Sequence, residues 1–314
     1  KLNSQLIKAL VFSFIMVFIC NMLYFALSKP QWMLMLPASV IGYSALWLYW
    51  AGKNRAVVRK HIHFTPAPAS VYLAAAVIGL LFYVIVDGSI TVTTTIFPTP
   101  AALINNVTRA GSIWLSLVLF FRNMLYSLIA CILFYDTYKQ KSIISALALS
   151  SLLFALTCLN PYTAAGYVLF GICLGLLYEF TDSLLVSMTP VLFESALTVV
   201  LCLVELYVPG TLPEFTGTGS MASASQLLPW LLLAILLILI LLYTVSRISG
   251  KKIDWSQEWE KARSISAPSS GKTTILDSAA FHEIEKERKR NYRLADGSFI
   301  AAVLIALWYM TSIL

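Results

Sequence analysis

The chain has 314 residues, 59% of them hydrophobic and 12% charged, with a net charge of +7. A soluble domain carries about a quarter charged residues, so a soluble globular fold is excluded. Strand-like alternation over about 10 residues is absent, which excludes a membrane barrel and leaves an all-α polytopic transmembrane helical bundle.

Apolar runs near the length needed to cross about 30 Å of hydrocarbon recur along the chain. They predict about nine spans, at 5–27, 32–51, 69–86, 112–135, 142–158, 161–178, 183–207, 227–246 and 298–314. The first is read as a span and not as a cleaved signal, because its apolar core is longer than a signal's. Span 2 ends in Trp47, Tyr49 and Trp50, an aromatic belt. The loop at 52–68 is basic and then Pro-rich; His61 and His63 within it read as solvated side chains. The segment 87–111 is rich in Thr, Pro and Asn, and its β-branched run Thr91–Ile96 reads as an extended outer loop. Asn106-Val107-Thr108 fits a glycosylation sequon, a pattern common by chance.

Spans 4 to 7 hold the only deep charges. Arg122 lies about eleven residues into span 4 and Glu194 about twelve into span 7. At about 1.5 Å per residue both fall near mid-membrane, where ionisable groups are rare and usually pair inside the bundle. Tyr126 near Arg122, and Thr189 or Thr198 near Glu194, offer further hydrogen bonds. Span 6 carries Gly171-x-x-x-Gly175, two small residues on one face that suit close helix packing. Glu179 and Asp182 at its end read as solvated interface residues. Span 8, nearly pure Leu and Ile from Leu231 to Leu242, reads as lipid-facing.

The segment 247–297 carries 11 basic and 8 acidic residues. Ser264–Ser270 reads as linker, and Asp277 or Ser278 as the cap of a helix to about Arg293. Gly271-Lys272-Thr273 lacks the earlier glycine and the strand of a phosphate loop, so nucleotide binding is rejected. With the N-terminus inside, 19 of the 22 basic residues lie on the inner side, as the positive-inside rule requires. Because these residues border spans, they suit anionic lipids and not nucleic acid. All five cysteines, Cys20, Cys131, Cys158, Cys173 and Cys202, lie in apolar runs without paired ligand spacing. The three histidines, His61, His63 and His282, all fall outside spans, so neither metal nor cofactor is expected.

Three blocks carry a resemblance. Residues 117–125 read Leu-Val-Leu-Phe-Phe-Arg-Asn-Met-Leu, and 150–158 read Ser-Ser-Leu-Leu-Phe-Ala-Leu-Thr-Cys. Residues 171–184 read Gly-Ile-Cys-Leu-Gly-Leu-Leu-Tyr-Glu-Phe-Thr-Asp-Ser-Leu, and Pro190 and Glu194 follow. Their order and spacing resemble the CPBP family of intramembrane metalloproteases, also called Abi or CAAX-protease-like. That family carries Glu-Glu-x-x-x-Arg, then Phe-x-x-x-His, then a Gly-rich helix, then His-x-x-x-Asn/Asp. Arg122 and Phe154 match it, whereas Leu117 and Val118 replace the glutamates, Cys158 the first histidine, and Pro190 and Glu194 the last pair.

The resemblance implies a CPBP/Abi-like core at 112–207, set among spans 1–3 (1–111), an outer loop with span 8 (208–246), a cytoplasmic segment (247–297) and a terminal span (298–314). It implies a vestigial pocket of Leu117, Val118, Arg122, Phe154, Cys158, Pro190 and Glu194, with no catalytic residue and no metal. The expected function is an inactive protease-like scaffold that binds a partner membrane protein, such as a single-span envelope enzyme, in a bacterial plasma membrane. An active protease with a non-standard site using Glu194 and a transporter or transporter subunit are the alternatives; the spans offer few polar residues for a solute path.

Overall fold

The computed structural model describes residues 62–96, 134–139, 142–157, 163–208 and 221–266, with Ile15 and Gly52. Spans 1 and 2, most of span 4, the terminal span and the helix expected at 278–293 lie outside the described residues. The described elements are α1 (Ala69–Ile96), α2 (Phe134–Lys139), α3 (Ile143–Thr157), α4 (Ala164–Thr181), α5 (Leu184–Tyr207), α6 (Met221–Ser249) and α7 (Trp255–Ser266). No strand occurs among them, only one isolated bridge between Phe64 and Ser183. Among the described residues four helices are long and apolar enough to cross a membrane: Ala69–Thr93, Ala164–Thr181, Leu184–Leu201 and Gln226–Ser249. The fold is an all-α membrane bundle.

In hydrocarbon each backbone polar group must be satisfied within its own segment, which forces helices whatever the local propensity. That explains one departure from expectation. Thr91–Ile96, read from its β-branched residues as extended, continues α1. The added turns are packed and not stray: Thr91 is fully buried, and Gly88 brings α1 against the side chain of Leu231 on α6.

Helix α4 is the hub. It packs on α3, α1, α5 and α6, while α1 also packs on α5 and α6. The α3–α4 contact depends on small residues, because a Cβ on Gly171 would sit 2.7 Å from Ser151 Cα. Gly175 is similarly covered by Leu147 and Tyr135. The spaced glycine pair therefore serves packing inside the bundle, as its sequence suggests. An aromatic stack fills the space between α1, α3 and α4. Phe82 lies on Phe170 with centroids 4.4 Å apart, and Phe154 meets Tyr167 edge-on at 5.6 Å. Such pairs add about 0.5–1.5 kcal/mol beyond burial.

Helix α6 is lipid-facing in the manner its composition suggests. Ala234, Ile238, Leu242 and Val245 form one buried stripe, whereas Leu232, Leu236, Leu239, Ile240 and Tyr243 are exposed.

Helix α7 has no counterpart in the sequence reading. Asp254 starts it, accepting from Ser256 N at 3.1 Å, Ser256 Oγ at 2.6 Å and Gln257 N at 3.3 Å. This is an N-cap, which satisfies amide donors that have no partner within the helix. The helix runs to Ser266, past the point where the serines read as linker.

Glu258, on the first turn of α7, is buried. Its Oε2 accepts the Ile143 amide of α3 at 2.7 Å, and its Oε1 accepts from Lys261 Nζ at 2.6 Å. One carboxylate thus caps a second helix and fixes α7 to it. Burial opposes ionisation of Glu258, but the Lys261 and Ile143 hydrogen bonds and the Lys261 charge outweigh it and hold its pKa below the ordinary 4.5. A carboxylate whose pKa is depressed on folding stabilises the fold at neutral pH. That contribution is lost as pH falls through the folded value. Hydrogen-exchange protection of peptides spanning 142–150 is therefore expected to drop on acidification below about pH 4.5. Glu258→Gln should lower protection already at neutral pH and remove the acid step. An acid step unchanged in the variant would assign it to another group.

Candidate functional site

Of the seven residues expected to line a pocket, Leu117, Val118, Arg122 and Cys158 lie outside the described residues. The other three are in place. Phe154 is fully buried on α3, within the aromatic stack. Pro190 is buried on α5, where its backbone abuts Gly79 of α1. Glu194, one turn further along α5, is 4% exposed.

The buried face of α5 explains how these residues are presented. Leu184, Ser187, Val191, Glu194 and Ser195 recur at helical spacing and are all buried. Ser187 Oγ donates to Leu174 O on α4 at 3.2 Å, which orients that face toward the hub. Ser195 Oγ donates to Glu194 Oε2 at 3.0 Å. The threonines expected to serve this carboxylate do not: Thr198 Oγ1 bonds the Glu194 carbonyl at 3.0 Å and Thr189 Oγ1 the Leu185 carbonyl at 2.9 Å. In an apolar helix a threonine hydroxyl is most easily satisfied by the carbonyl one turn back.

The chemistry of these groups bears on the metal that the family resemblance implies. Pro190 and Phe154 offer no side-chain donor, and Glu194 offers one carboxylate. Among the described residues no group of three or more His, Cys, Asp and Glu side chains comes together. A catalytic zinc site needs three protein ligands and an open position, so the described residues do not fit one.

A second polar assembly, at one end of the bundle, was not foreseen. Here the lead into α1, the end of α2, the α4–α5 turn and the chain after α6 converge. Leu184 N donates to His63 O at 2.9 Å and Thr65 Oγ1 to Asp182 O at 2.8 Å. Asp182 turns the chain in the left-handed region, φ 53°, which Asp tolerates better than most residues. His63 Nδ1 lies 3.1 Å from Tyr178 Oη and 3.9 Å from Asp182 Oδ1, and Lys251 Nζ is 3.9 Å from Asp182 Oδ2. Tyr135 Oη donates to Glu179 Oε2 at 2.7 Å, and Lys139 Nζ pairs with the same oxygen at 3.0 Å.

One expectation is extended here and one corrected. His63 is exposed, as expected, and its ring also reaches Tyr178 on α4. Glu179 is not a free interface acid; its side chain is 16% exposed and holds two donors. The sequence signal was present in Tyr178-Glu179-Phe180-Thr181-Asp182-Ser183, a polar run at a span end. Its partners come from 40 (Lys139 to Glu179) to 119 (His63 to Asp182) residues away, so spacing alone does not reveal them. Chemically the assembly is a clamp. It joins helix ends and presents no activated nucleophile.

Comparison with curated proteins and with solved structures gives no match. Residues 119–190, 72 of the 314, match the family of type II CAAX prenyl endopeptidase Rce1-like proteins. The matched stretch begins just after Leu117 and Val118, contains Arg122, Phe154 and Cys158, and ends at Pro190, one turn before Glu194. It takes in α2, α3, α4 and the first part of α5, the elements gathered around the hub. Over this stretch the chain is similar to the CAAX-protease-like, or CPBP, family, and its apolar helices are those of an integral membrane protein.

Proposed function

We propose that the chain is a catalytically inactive CAAX-protease-like scaffold that binds and positions a partner membrane protein. The observation that carries this reading is the use made of the family's site positions. Phe154 and Pro190 are spent on helix packing, and Glu194 is the one described carboxylate there. Leu117, Val118 and Cys158 extend the same substitution of apolar residues for ligands. In this reading Arg122 faces Glu194 in a closed remnant of the pocket. A single transmembrane helix of the partner docks beside it. Lysine and arginine placement orients the His63 end of the bundle, and the N-terminus, toward the cytoplasm of a bacterial cell.

The test begins with the purified full-length chain in liposomes, given prenylated CAAX peptides and single-span peptides with zinc, manganese or magnesium. No cleavage is expected, and elemental analysis should show less than stoichiometric metal. A photoreactive side chain at position 158 should capture a membrane protein in native membranes, identified by mass spectrometry. Competition by that protein's purified span would support specific docking. Metal-dependent cleavage abolished by Glu194→Gln would overturn the scaffold reading and establish a protease with an altered site.

A further inference from the structure

Beside the face of α7 that packs on α3 lie Trp255 and Trp259, 49% and 57% exposed. Tryptophan is a costly residue to leave in water and is enriched where a membrane meets its headgroups. At about 100° per residue the helix divides into three faces. Glu258 and Ala262 lie toward α3, Trp255 and Trp259 lie together beside them, and Gln257 and Glu260 lie on the remaining side. A three-sided partition of this kind suits a helix lying in the membrane plane, with protein on one flank, lipid beneath and water above.

Position along the chain agrees. Helix α6 reaches its polar end at Tyr243 and Arg247, both on the exposed side; Arg247 Nε donates to Tyr243 Oη at 2.9 Å, with the guanidinium 5.4 Å from the ring centroid. Such an aromatic–basic pair on a lipid-facing stripe marks headgroup depth. Trp255 follows eight residues later, and the Glu258–Ile143 bond holds α7 at the end of α3. The tryptophans are therefore kept near the depth that Tyr243 and Arg247 mark.

Charge selects the occupant. Arg247, Lys251, Lys252, Lys261 and Arg263 stand against Asp254, Glu258 and Glu260. Glu258 is paired with Lys261 and Lys251 with Asp182, so Arg247, Lys252 and Arg263 remain against Asp254, whose carboxylate caps amides, and Glu260. The residual field is positive and sits beside an apolar aromatic face, which matches anionic lipid and not a neutral or basic protein surface. Each basic residue near an anionic surface contributes about 1 kcal/mol.

We propose that α7 is an interfacial helix that docks on anionic phospholipid of the leaflet in which α6 ends, inserting Trp255 and Trp259 while Lys252 and Arg263 meet the headgroups. This does not depend on whether the chain is a scaffold or a protease.

Hydroxyl-radical footprinting of the intact chain in nanodiscs, read by mass spectrometry, tests the assignment without new cysteines. Nanodiscs of phosphatidylcholine with and without phosphatidylglycerol are compared, with oxidation of Tyr243 as the internal reference. With phosphatidylglycerol present, oxidation of Trp255 and Trp259 is expected to fall several-fold. The double variant Lys252→Gln, Arg263→Gln should lose most of that protection while circular dichroism and melting stay as in the parent. Equal oxidation in both lipids would overturn the preference for anionic lipid. Protection that appears only with two chains per disc would assign the face to a second copy, and would also overturn it. Should the double variant fail to fold, raising the salt concentration supplies the same test on the native chain. Protection that does not weaken with salt would count against the proposal.

Discussion

Gly79→Val is expected to be among the most destabilising single substitutions in the described helices, with a loss of about 3 kcal/mol or more. A Cβ at position 79 would lie 2.8 Å from Pro190 Cα and 2.9 Å from Pro190 C, and nearer still to the Pro190 carbonyl oxygen. Those are backbone atoms of a helix that is itself packed on α4, so nothing small can move aside. Even Gly79→Ala should lose stability, although alanine is favoured over glycine by about 1 kcal/mol in a helix. Gly88→Ala is the control. Its Cβ would meet Leu231 Cδ2 at 2.5 Å, the far end of a flexible side chain that can turn away. Thermal unfolding in detergent, followed by size-exclusion of the surviving fraction, should rank Gly79→Val below Gly79→Ala, and both below Gly88→Ala. A Gly79→Ala protein as stable as the parent would mean that α1 and α5 do not approach as described.

The second large effect is expected at Glu194 under the scaffold reading. A lone charge at mid-membrane costs at least about 2.5–3.5 kcal/mol on insertion scales. Removing one member of a buried pair leaves the other uncompensated, at about 3–5 kcal/mol. Arg122→Met and Glu194→Leu should therefore each be severely destabilised, whereas the double variant should recover much of the loss. A double-mutant cycle of melting in detergent measures the coupling. Because Ser195 Oγ also donates to the Glu194 carboxylate, Ser195→Ala should weaken stability less than either charge deletion. Additive losses without coupling would separate the two charges and leave Glu194 facing water or a partner.

The contrast between what the sequence shows and what it hides has a physical basis. Hydrophobic length is a local property, so α1, α4, α5 and α6 were legible as spans, and so was the role of Gly171 and Gly175. Lipid exposure of α6 followed from its having no polar face. The end of α1 was misread because β-branched residues signal extended chain in water, while hydrocarbon allows them only helix or closed sheet. Helix α7 was missed although Asp254 and Gln257 stand at N-cap spacing, since its 12 residues are too polar to register as a span. Its attachment to α3 spans 115 residues of sequence. The clamp around Asp182 was hidden for the same reason. Of the pocket positions, the sequence identified the match at Phe154 and the departures at Pro190 and Glu194 but not their surroundings, because which face of α5 is buried depends on α1.

The pairing of α1 with α5 also constrains how the protein is made. The two helices start at the same end of the bundle and run in parallel, with Leu184 N bonded to His63 O at their base. Parallel neighbours cannot be consecutive spans, and here about 90 residues of chain separate them. During synthesis α1 leaves the ribosome well before its closest neighbour exists. Until α5 arrives, the groove around Gly79 must be covered by lipid or by a chaperone of the insertion machinery. Ribosome-bound intermediates that end before Leu184 should therefore be degraded faster in cells than those that extend past Glu194, a sensitivity set by topology and not by the strength of any single contact.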